Sequence, residues 1–158
     1  MTSQTDAVRS ATMRSVKSKD TGPELLVRSL LHLLGYRFRL HRKDLPGKPD
    51  IVFPGRRKII FVHGCFWHGH QCARGCRVPK SNRDYWVRKI TGNKERDTIH
   101  LAVLKASGWQ ILTIWECEAG MSEDLLQKLV GFLNQPAPVN KGQGGNDRIL
   151  RKTLREAK

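Results

Sequence analysis

The segment His63–Cys72, HGCFWHGHQC, constrains the fold more than any other part of the chain. It combines two cysteines with three histidines, and Cys76 follows four residues later. Thiolate and imidazole groups at such spacing are typical of a tetrahedral zinc site, and a zinc ion held by four protein ligands is structural. Three of the predicted ligands come from the segment itself: Cys65, His70 and Cys72. The fourth is either Cys76 or the distant Cys117.

Charge and cysteine use indicate the class of partner and the compartment. Lys and Arg outnumber Asp and Glu by 29 to 14, giving a net charge of +15, which favours a polyanionic partner such as nucleic acid. Four cysteines in a reducing compartment favour metal ligation over disulfides. The chain contains no membrane-length apolar run and no signal-peptide centre. A cytoplasmic protein without membrane association is expected.

The order of patterned segments predicts an α/β sandwich around a mixed sheet. Thr21 and Glu24 have capping-box spacing, so a helix is expected from there to Gly35. β-type runs follow at 36–40, 50–53 and 58–63, and the last two are expected to form a hairpin. Then come a helix over 83–106 with a break at Gly92, a strand over 109–115 and a helix over 122–134. The predicted organisation is an arm at 1–20, a single domain at 21–134 and a basic, partly flexible extension at 135–158.

Asp50 is the first candidate catalytic residue. The pair Pro49-Asp50 opens the second strand, and the hairpin brings its carboxylate beside the His63–His68 segment. Mg²⁺ prefers carboxylate, carbonyl and water oxygens, so this edge suits a magnesium site. The alternative is an aspartate that only shapes the turn before the strand.

The motifs of the chain resemble those of the very-short-patch-repair (Vsr) mismatch endonucleases. They are Met-Arg-Ser-Val at 13–16, Thr-Gly-Pro-Glu at 21–24, Leu-Pro-Gly-Lys-Pro-Asp at 45–50, Phe-Val-His-Gly-Cys-Phe-Trp-His at 61–68, Tyr-Trp at 85–86, Lys-Ile at 89–90, Asn93, Arg-Asp at 96–97 and Gly-Trp-Gln-Ile-Leu-Thr-Ile-Trp-Glu-Cys at 108–117. The resemblance implies a restriction-endonuclease-like three-layer sandwich. It also implies a bacterial, nucleoid-associated monomer that nicks one DNA strand at a T:G mismatch, the product of 5-methylcytosine deamination. A functional link to a DNA cytosine-5 methyltransferase and to mismatch-repair proteins follows from it.

The resemblance also implies catalytic roles. Asp50 and the carbonyl of Val62 hold Mg²⁺ at the scissile phosphate, His68 is the general base and Asp97 orients it. Glu24, His63 and Asn93 match family positions that surround the phosphate and the water molecules bound to the metal ion. Each of the three has a simpler alternative: Glu24 caps its helix, Asn93 caps the break at Gly92, and His63 is a solvated strand end.

DNA contacts and the last zinc ligand come from the same resemblance. Phe66, Trp67 and Trp86 form an aromatic wedge, Met13 wedges from the opposite groove, and Lys89 lies near the mismatched pair. Core packing is the alternative for the aromatics, with Phe66 and Trp67 on opposite faces of a strand, and a phosphate contact is the alternative for Lys89. The family places its last cysteine at Cys117.

This chain departs from the family pattern at two positions. Cys76 lies in a segment one residue longer than the pattern, and Gly69 stands where a histidine is common and is expected to loosen the loop. Two other functional classes are weighed: a restriction enzyme that cuts both strands of paired DNA, and a non-catalytic zinc-containing DNA-binding module. The second has no use for Asp50 near His68.

Overall fold

The computed structural model describes residues 19–136, which form three helices and a four-stranded sheet. The elements follow the order α1 (Gly22–Leu33), β1 (Arg39–Leu40), β2 (Ile51–Phe53), β3 (Lys58–His63), α2 (Arg83–Ala106), β4 (Gln110–Trp115) and α3 (Glu123–Asn134). A short 3-10 turn, Pro54–Arg56, connects β2 to β3. The predicted mixed α/β architecture is confirmed.

The sheet has the order β1-β2-β3-β4. β2 and β3 form the predicted antiparallel hairpin, in which Ile51 pairs with Ile60. β3 and β4 run parallel over six pairs, from Lys58 with Gln110 to His63 with Trp115. The carboxyl ends of β3 and β4 therefore lie side by side, and the segments that follow them begin at the same edge of the sheet.

Alternation along the strands sends side chains into two cores, one on each face of the sheet. One core joins β-strand residues to α1 and α3: Val27, Leu30, Leu31, Ile51, Phe53, Ile60, Ile114, Leu125, Leu129, Phe132 and Leu133. The other joins the opposite face to α2: Leu45, Val52, Ile59, Phe61, Leu104 and Trp109. The helices thus cover both faces of the sheet, giving three layers.

The start of α1 has the predicted capping arrangement. Thr21 is the N-cap, and its hydroxyl accepts a hydrogen bond from the backbone N–H of Glu24. Gly35, at φ 79°, follows the end of the helix, as expected for a residue in the left-handed region. The Glu24 side chain is buried, which puts a carboxylate under the first turn of the helix.

Two predicted features differ from the structure. The predicted strand at 36–40 pairs only over Arg39–Leu40, because Tyr36 and Phe38 pack their rings against Phe53. The predicted break at Gly92 is wrong, since α2 is continuous over 24 residues. A single glycine costs a helix about 1 kcal/mol and does not by itself end it.

Several predicted features lie outside the described residues. They are Met13, the arm at 1–20 except for Lys19 and Asp20, and the extension at 135–158 except for Gln135 and Pro136. Within residues 19–136, no helix is long and apolar enough to cross a membrane.

Lys58 ties the sheet to the end of α3. It is 1% exposed, and its ammonium donates hydrogen bonds to the carbonyls of Phe132 (2.5 Å), Leu133 (3.2 Å) and Gln135 (2.6 Å). These carbonyls belong to the carboxyl end of α3, where intrahelical partners run out and positive charge is favoured. One buried lysine thereby satisfies three carbonyl groups.

We expect Lys58→Met to lower the free energy of unfolding by about 2 kcal/mol, because it removes charge-assisted hydrogen bonds from buried carbonyls. Urea denaturation measures the change. Lys105→Met is the matched control: Lys105 is exposed at the end of α2, and its replacement is expected to stay within about 0.5 kcal/mol of the parent. Equal stability of the two variants would contradict the capping role.

Candidate active site and cysteine–histidine cluster

A cleft of about 350 Å³ opens beside the carboxyl end of β3. Candidate catalytic residues from distant parts of the chain line it: Asp50, Val62, His63, His68 and Asp97. Three lysines, Lys19, Lys43 and Lys48, also line it. A cleft that combines carboxylates and imidazoles with surrounding lysines suits a phosphate group.

His68 and Asp97 form a direct pair across this cleft. Nδ1 of His68 lies 2.5 Å from Oδ2 of Asp97, although the residues are 29 positions apart. Burial acts to raise the pKa of Asp97, but the hydrogen bond with His68 and the neighbouring imidazoles outweigh it, and the pKa is lowered. An ionised Asp97 accepts a hydrogen bond from the N–H at Nδ1 of His68. The other ring nitrogen, Nε2, is then free to take up a proton.

His63 stacks on His68. The two rings are 3.9 Å apart and nearly parallel, at 5°. Burial, with a smaller contribution from His68, lowers the pKa of His63 to about 4. The lowered pKa favours the neutral ring. His63 is only 8% exposed, and this burial rules out the alternative of a solvated strand end. It packs against one face of His68 and restricts its orientation.

Asp50 sits at the start of β2 and reaches across to β3. Its Oδ2 accepts a hydrogen bond of 2.8 Å from the backbone N–H of Val62. Burial raises the pKa of Asp50 to about 6, and the neighbouring Glu24 carboxylate acts in the same direction. Asp50 and Val62, the two predicted Mg²⁺ ligands, are thus adjacent, and the contact seen is through the Val62 N–H.

A second cleft, of about 430 Å³, adjoins the first and shares His63 and His68 with it. Trp67, Lys89 and Asn93 also line it. The Asn93 amide donates a hydrogen bond of 2.8 Å to the carbonyl of Trp67. Because α2 has no break, the capping alternative for Asn93 is wrong, and its side chain instead holds the segment that carries Trp67.

Phe66, Trp67 and Trp86 form one aromatic cluster, with ring centroids 5.0–6.1 Å apart. All three are half-buried and belong to neither core. Phe66 and Trp67 do not lie on a strand, as the core alternative assumed, because β3 ends at His63 and a turn follows. The cluster lies at the surface beside the two clefts.

Cys65, His70, Cys72 and Cys117 come together with one ligand atom each, all within 4.8 Å of one another. Sγ of Cys117 lies 3.5 Å from Nδ1 of His70. Three sulfurs and one nitrogen at these separations fit a tetrahedral ion with bonds of about 2.0–2.3 Å. The residues present therefore fit Zn²⁺, and the structure brings Cys117 rather than Cys76 into the cluster.

The thiols of this cluster differ in their electrostatics. Burial raises the pKa of Cys65 to about 12, whereas the backbone N–H of Gly75 and the ring of His70 lower the pKa of Cys72 to about 6. The thiolate is the form of cysteine that ligates a metal ion, and a cation beside buried Cys65 would favour that form.

The departures from the family pattern have structural explanations. Gly69 has φ +60°, and a Cβ there would lie 2.9 Å from side-chain atoms of Ile90 and Lys94. It therefore lets the loop approach α2 closely, and the expectation that Gly69 loosens the loop stays a prediction. Gly75 packs against the backbone of His70 with no room for a Cβ, and Cys76 points outward and is exposed.

Sequence reasoning missed two residues that line the first cleft, His41 and His100. It also missed Arg28, whose guanidinium donates a hydrogen bond to Glu24. A signal existed for His41, which opens the basic run His-Arg-Lys at 41–43, one residue before the Leu-Pro-Gly-Lys-Pro-Asp motif at 45–50. Arg28 lies four residues after Glu24, the spacing of an ion pair on a helix.

Comparisons with known proteins find DNA mismatch endonucleases or nicking enzymes. The family model described as DNA mismatch endonuclease Vsr matches residues 1–74. The type II nicking enzyme V.XorIIP of Xanthomonas oryzae pv. oryzae is 61% identical over 106 residues, covering 67% of this chain and 77% of that protein. The type II nicking enzyme V.NmeAIP of Neisseria meningitidis is 46% identical over 114 residues, covering 72% and 81%. The DNA mismatch endonuclease Vsr of Escherichia coli is 42% identical over 111 residues, covering 70% of each chain.

We expect one tightly bound Zn²⁺ per chain, measured by plasma mass spectrometry of the purified protein. Cys117→Ser should lose this zinc, because it removes one of four converging ligands. The melting temperature should fall by about 10 °C, roughly 3 kcal/mol for a domain of this size.

Cys76→Ser is the matched control, since its thiol is exposed and outside the cluster. It should keep both the zinc and the melting temperature. The opposite pattern, zinc lost from Cys76→Ser and kept by Cys117→Ser, would overturn the ligand set.

Proposed function

The chain belongs to the family of Vsr DNA mismatch endonucleases, and from this membership we propose that it nicks one DNA strand at a T:G mismatch by Mg²⁺-dependent hydrolysis. That it is a DNA endonuclease follows from the family itself. The names of the relatives V.XorIIP and V.NmeAIP, type II nicking enzymes, support cleavage of a single strand. The fold is assigned in this proposal to the restriction-endonuclease-like type.

One arrangement carries the proposal: His68, paired with Asp97, shares a basic cleft with Asp50 and also lines the second cleft with Trp67, a member of the aromatic cluster. His68 belongs to the imidazole–carboxylate pair, and its neighbour in sequence, Trp67, belongs to the aromatic cluster. A nuclease that recognises paired DNA has no need of three half-buried aromatic rings beside its catalytic cleft. A mismatch enzyme has such a need, because it must test how easily the base stack opens.

In the proposed reaction His68 is the general base. Asp97 accepts a hydrogen bond from the N–H at Nδ1 and thereby fixes the tautomer of His68. Nε2 is then the nitrogen that takes a proton from the attacking water. His63, stacked on one face, restricts rotation of the His68 ring. Asn93 holds the carbonyl of Trp67 and so positions the segment that leads into His68.

Asp50 and the carbonyl of Val62 are the proposed magnesium ligands, with Glu24 beside them as a second carboxylate. These oxygen donors fit Mg²⁺. Burial, together with the neighbouring Glu24 carboxylate, raises the pKa of Asp50, and a cation bound there would favour its ionised form. When bound, Mg²⁺ neutralises charge on the scissile phosphate and polarises water. The lysines around the cleft attract the DNA backbone.

Phe66, Trp67 and Trp86 are the proposed wedge. Their half-exposed rings can stack on bases, and unstacking is least costly at a mismatch. Lys89, which lines the cleft with Trp67, is the proposed contact near the mismatched pair. Zn²⁺ at Cys65, His70, Cys72 and Cys117 would hold the loop that carries Phe66, Trp67 and His68.

Other features implied by the family stay predictions. They are the wedge residue Met13, the monomeric state, the domain boundaries, the cytoplasmic and nucleoid location, and the links to a DNA cytosine-5 methyltransferase and to mismatch-repair proteins.

The proposal predicts Mg²⁺-dependent nicking of duplexes that carry T:G, and no cleavage of the same duplexes when fully paired. Labelled strands on a denaturing gel report which strand is cut. Each mismatch should be placed in several flanking sequences. Double-strand cleavage of paired DNA would identify a restriction enzyme instead.

Two variants test the catalytic assignment in the same assay. Asp50→Asn should abolish nicking while DNA binding is kept, because it removes a metal ligand and no core contact. His68→Ala should slow single-turnover nicking by ~10²-fold or more, the usual contribution of a general base. Nicking at the parent rate by either variant would contradict the role of that residue.

The wedge makes a separate prediction about specificity. Trp67→Ala and Trp86→Ala should each weaken binding to T:G duplex by ~1–3 kcal/mol per lost base–aromatic stack. Binding to paired duplex, which consists mainly of phosphate contacts, should change little and keep its salt dependence. The measurement is the ratio of the two affinities, with the melting temperature of each variant.

Trp109→Ala is the matched control, because Trp109 is a core tryptophan at 7% exposure. Its truncation should cost ~3–5 kcal/mol of stability and reduce both affinities together. If Trp67→Ala and Trp86→Ala behave in the same way as Trp109→Ala, the three aromatics are structural and the wedge is wrong.

A further inference from the structure

Four side chains meet beside Asp50, at the first turn of α1. Three of them are Asp20, Glu24 and His41. Each offers one atom that could ligate a metal ion, a carboxylate oxygen or an imidazole nitrogen, and these atoms lie within 4.8 Å of one another. Two carboxylates and an imidazole at this spacing are a usual ligand set for a divalent metal ion. The guanidinium of the fourth side chain, Arg28, lies among these three atoms.

Arg28 contacts all three groups at once. Its Nη1 donates to Oδ1 of Asp20 at 2.7 Å, and its Nη2 donates to Oε1 of Glu24. The same Nη2 lies 2.8 Å from Nε2 of His41. The guanidinium therefore takes up the position that a metal ion would need.

Nε2 of His41 faces the same point as the two carboxylates, at 3.3 Å from Oε1 of Glu24 and 3.7 Å from Oδ1 of Asp20. A guanidinium carries only donors, so the contact with Arg28 is a hydrogen bond in the tautomer that has its proton on Nδ1 and a lone pair on Nε2. The same lone pair is the one that would ligate a metal ion.

The inner part of the cluster, Glu24 and Arg28, is buried beside the catalytic cleft, whereas Asp20 lies at the surface with its side chain 61% exposed. The Glu24 side chain is 3% exposed and that of Arg28 is 11% exposed. Asp20 and His41 have φ of 54° and 47°, left-handed values that are uncommon for residues other than glycine. The backbone N–H of His41 donates to the carbonyl of Asp50 at 3.2 Å. The backbone thus turns both side chains toward Arg28 and connects His41 to Asp50.

We propose that Arg28 is a built-in cation: it fills a divalent-metal site formed by Asp20, Glu24 and His41, and as a positioning residue it holds Glu24 and His41 beside Asp50 without a metal ion. The positive charge that Arg28 supplies to the two carboxylates is permanent. It does not change with the concentration of Mg²⁺, whereas occupation of the proposed site at Asp50 does.

The proposal predicts that a neutral side chain at position 28 opens the site to a divalent ion. Mn²⁺ is the probe, because it accepts both carboxylate and imidazole ligands and is detected by electron paramagnetic resonance. The measurements use zinc-loaded protein without DNA, in the Asp50→Asn background, which removes the proposed catalytic metal site. They are therefore independent of whether the protein nicks a T:G mismatch.

Asp50→Asn alone should bind no Mn²⁺ at this cluster, and Mn²⁺ should leave its melting temperature unchanged. Asp50→Asn with Arg28→Met should bind one additional Mn²⁺ per chain, and Mn²⁺ should raise its melting temperature. Asp50→Asn with Arg28→Lys should behave like Asp50→Asn alone, because lysine keeps the charge. A purely structural arginine would give no change in Mn²⁺ stoichiometry.

His41→Gln, added to the Arg28→Met protein, is the control and should remove the additional Mn²⁺. If Arg28→Met does not fold, Arg28→Gln replaces it with the same expected results. Absence of additional Mn²⁺ in the folded variant would overturn the proposal. So would Mn²⁺ binding by Asp50→Asn alone that Asp20→Asn abolishes, because Arg28 would then not fill the site.

Discussion

The parallel pairing of β3 with β4 is the constraint on which the rest of the structure depends. Six residue pairs align the strands so that both end at the His63–Trp115 pair. The pairing continues past the strands, since the N–H of Glu116 donates to the carbonyl of His63 and the N–H of Cys117 to Sγ of Cys65. Two loops that are about fifty residues apart in sequence are thereby fixed together. A shift of this register would separate the cysteine–histidine cluster and move the catalytic candidates with it.

Trp115, the last residue of β4, lies between the two centres. Its ring stacks on His70 at 4.2 Å and 13°, and meets His63 edge-on at 5.4 Å. The loop between these histidines carries Phe66, Trp67 and His68, so the same tryptophan braces the aromatic cluster and the catalytic candidates. A metal ion in the cluster would add a covalent-strength restraint to this loop. The arrangement places functional side chains on a loop that is held at both ends, which gives the precision that a free loop lacks.

Charge is organised so that each carboxylate of the cleft has its own partner. Asp97 pairs with His68, Asp50 accepts the N–H of Val62, and Glu24 contacts Arg28. Paired or hydrogen-bonded in this way, buried carboxylates can be kept in a protein whose net charge is +15 and whose substrate is an anion. The lysines at the rim of the cleft remain available to phosphates. The local negative charge can then serve a metal ion without repelling the DNA backbone.

Local signals in the sequence determined the helices, the hairpin and the residue types of the site. The cap at Thr21, the alternation over 58–63 and the cysteine–histidine spacing all act within a few residues, which is why they could be read without a structure. Only the tertiary structure decided which distant residues meet. It brought Cys117 rather than Cys76 to the cluster and put Asp97 on His68, two contacts that the family resemblance implied but no local signal could give. It also placed Arg28 and His41 around Glu24, which the sequence did not predict. It also kept α2 continuous through Gly92 and put Phe66 and Trp67 in a turn. These outcomes depend on strand register and on helix packing against the sheet, and both are set by contacts between segments that lie far apart in the chain.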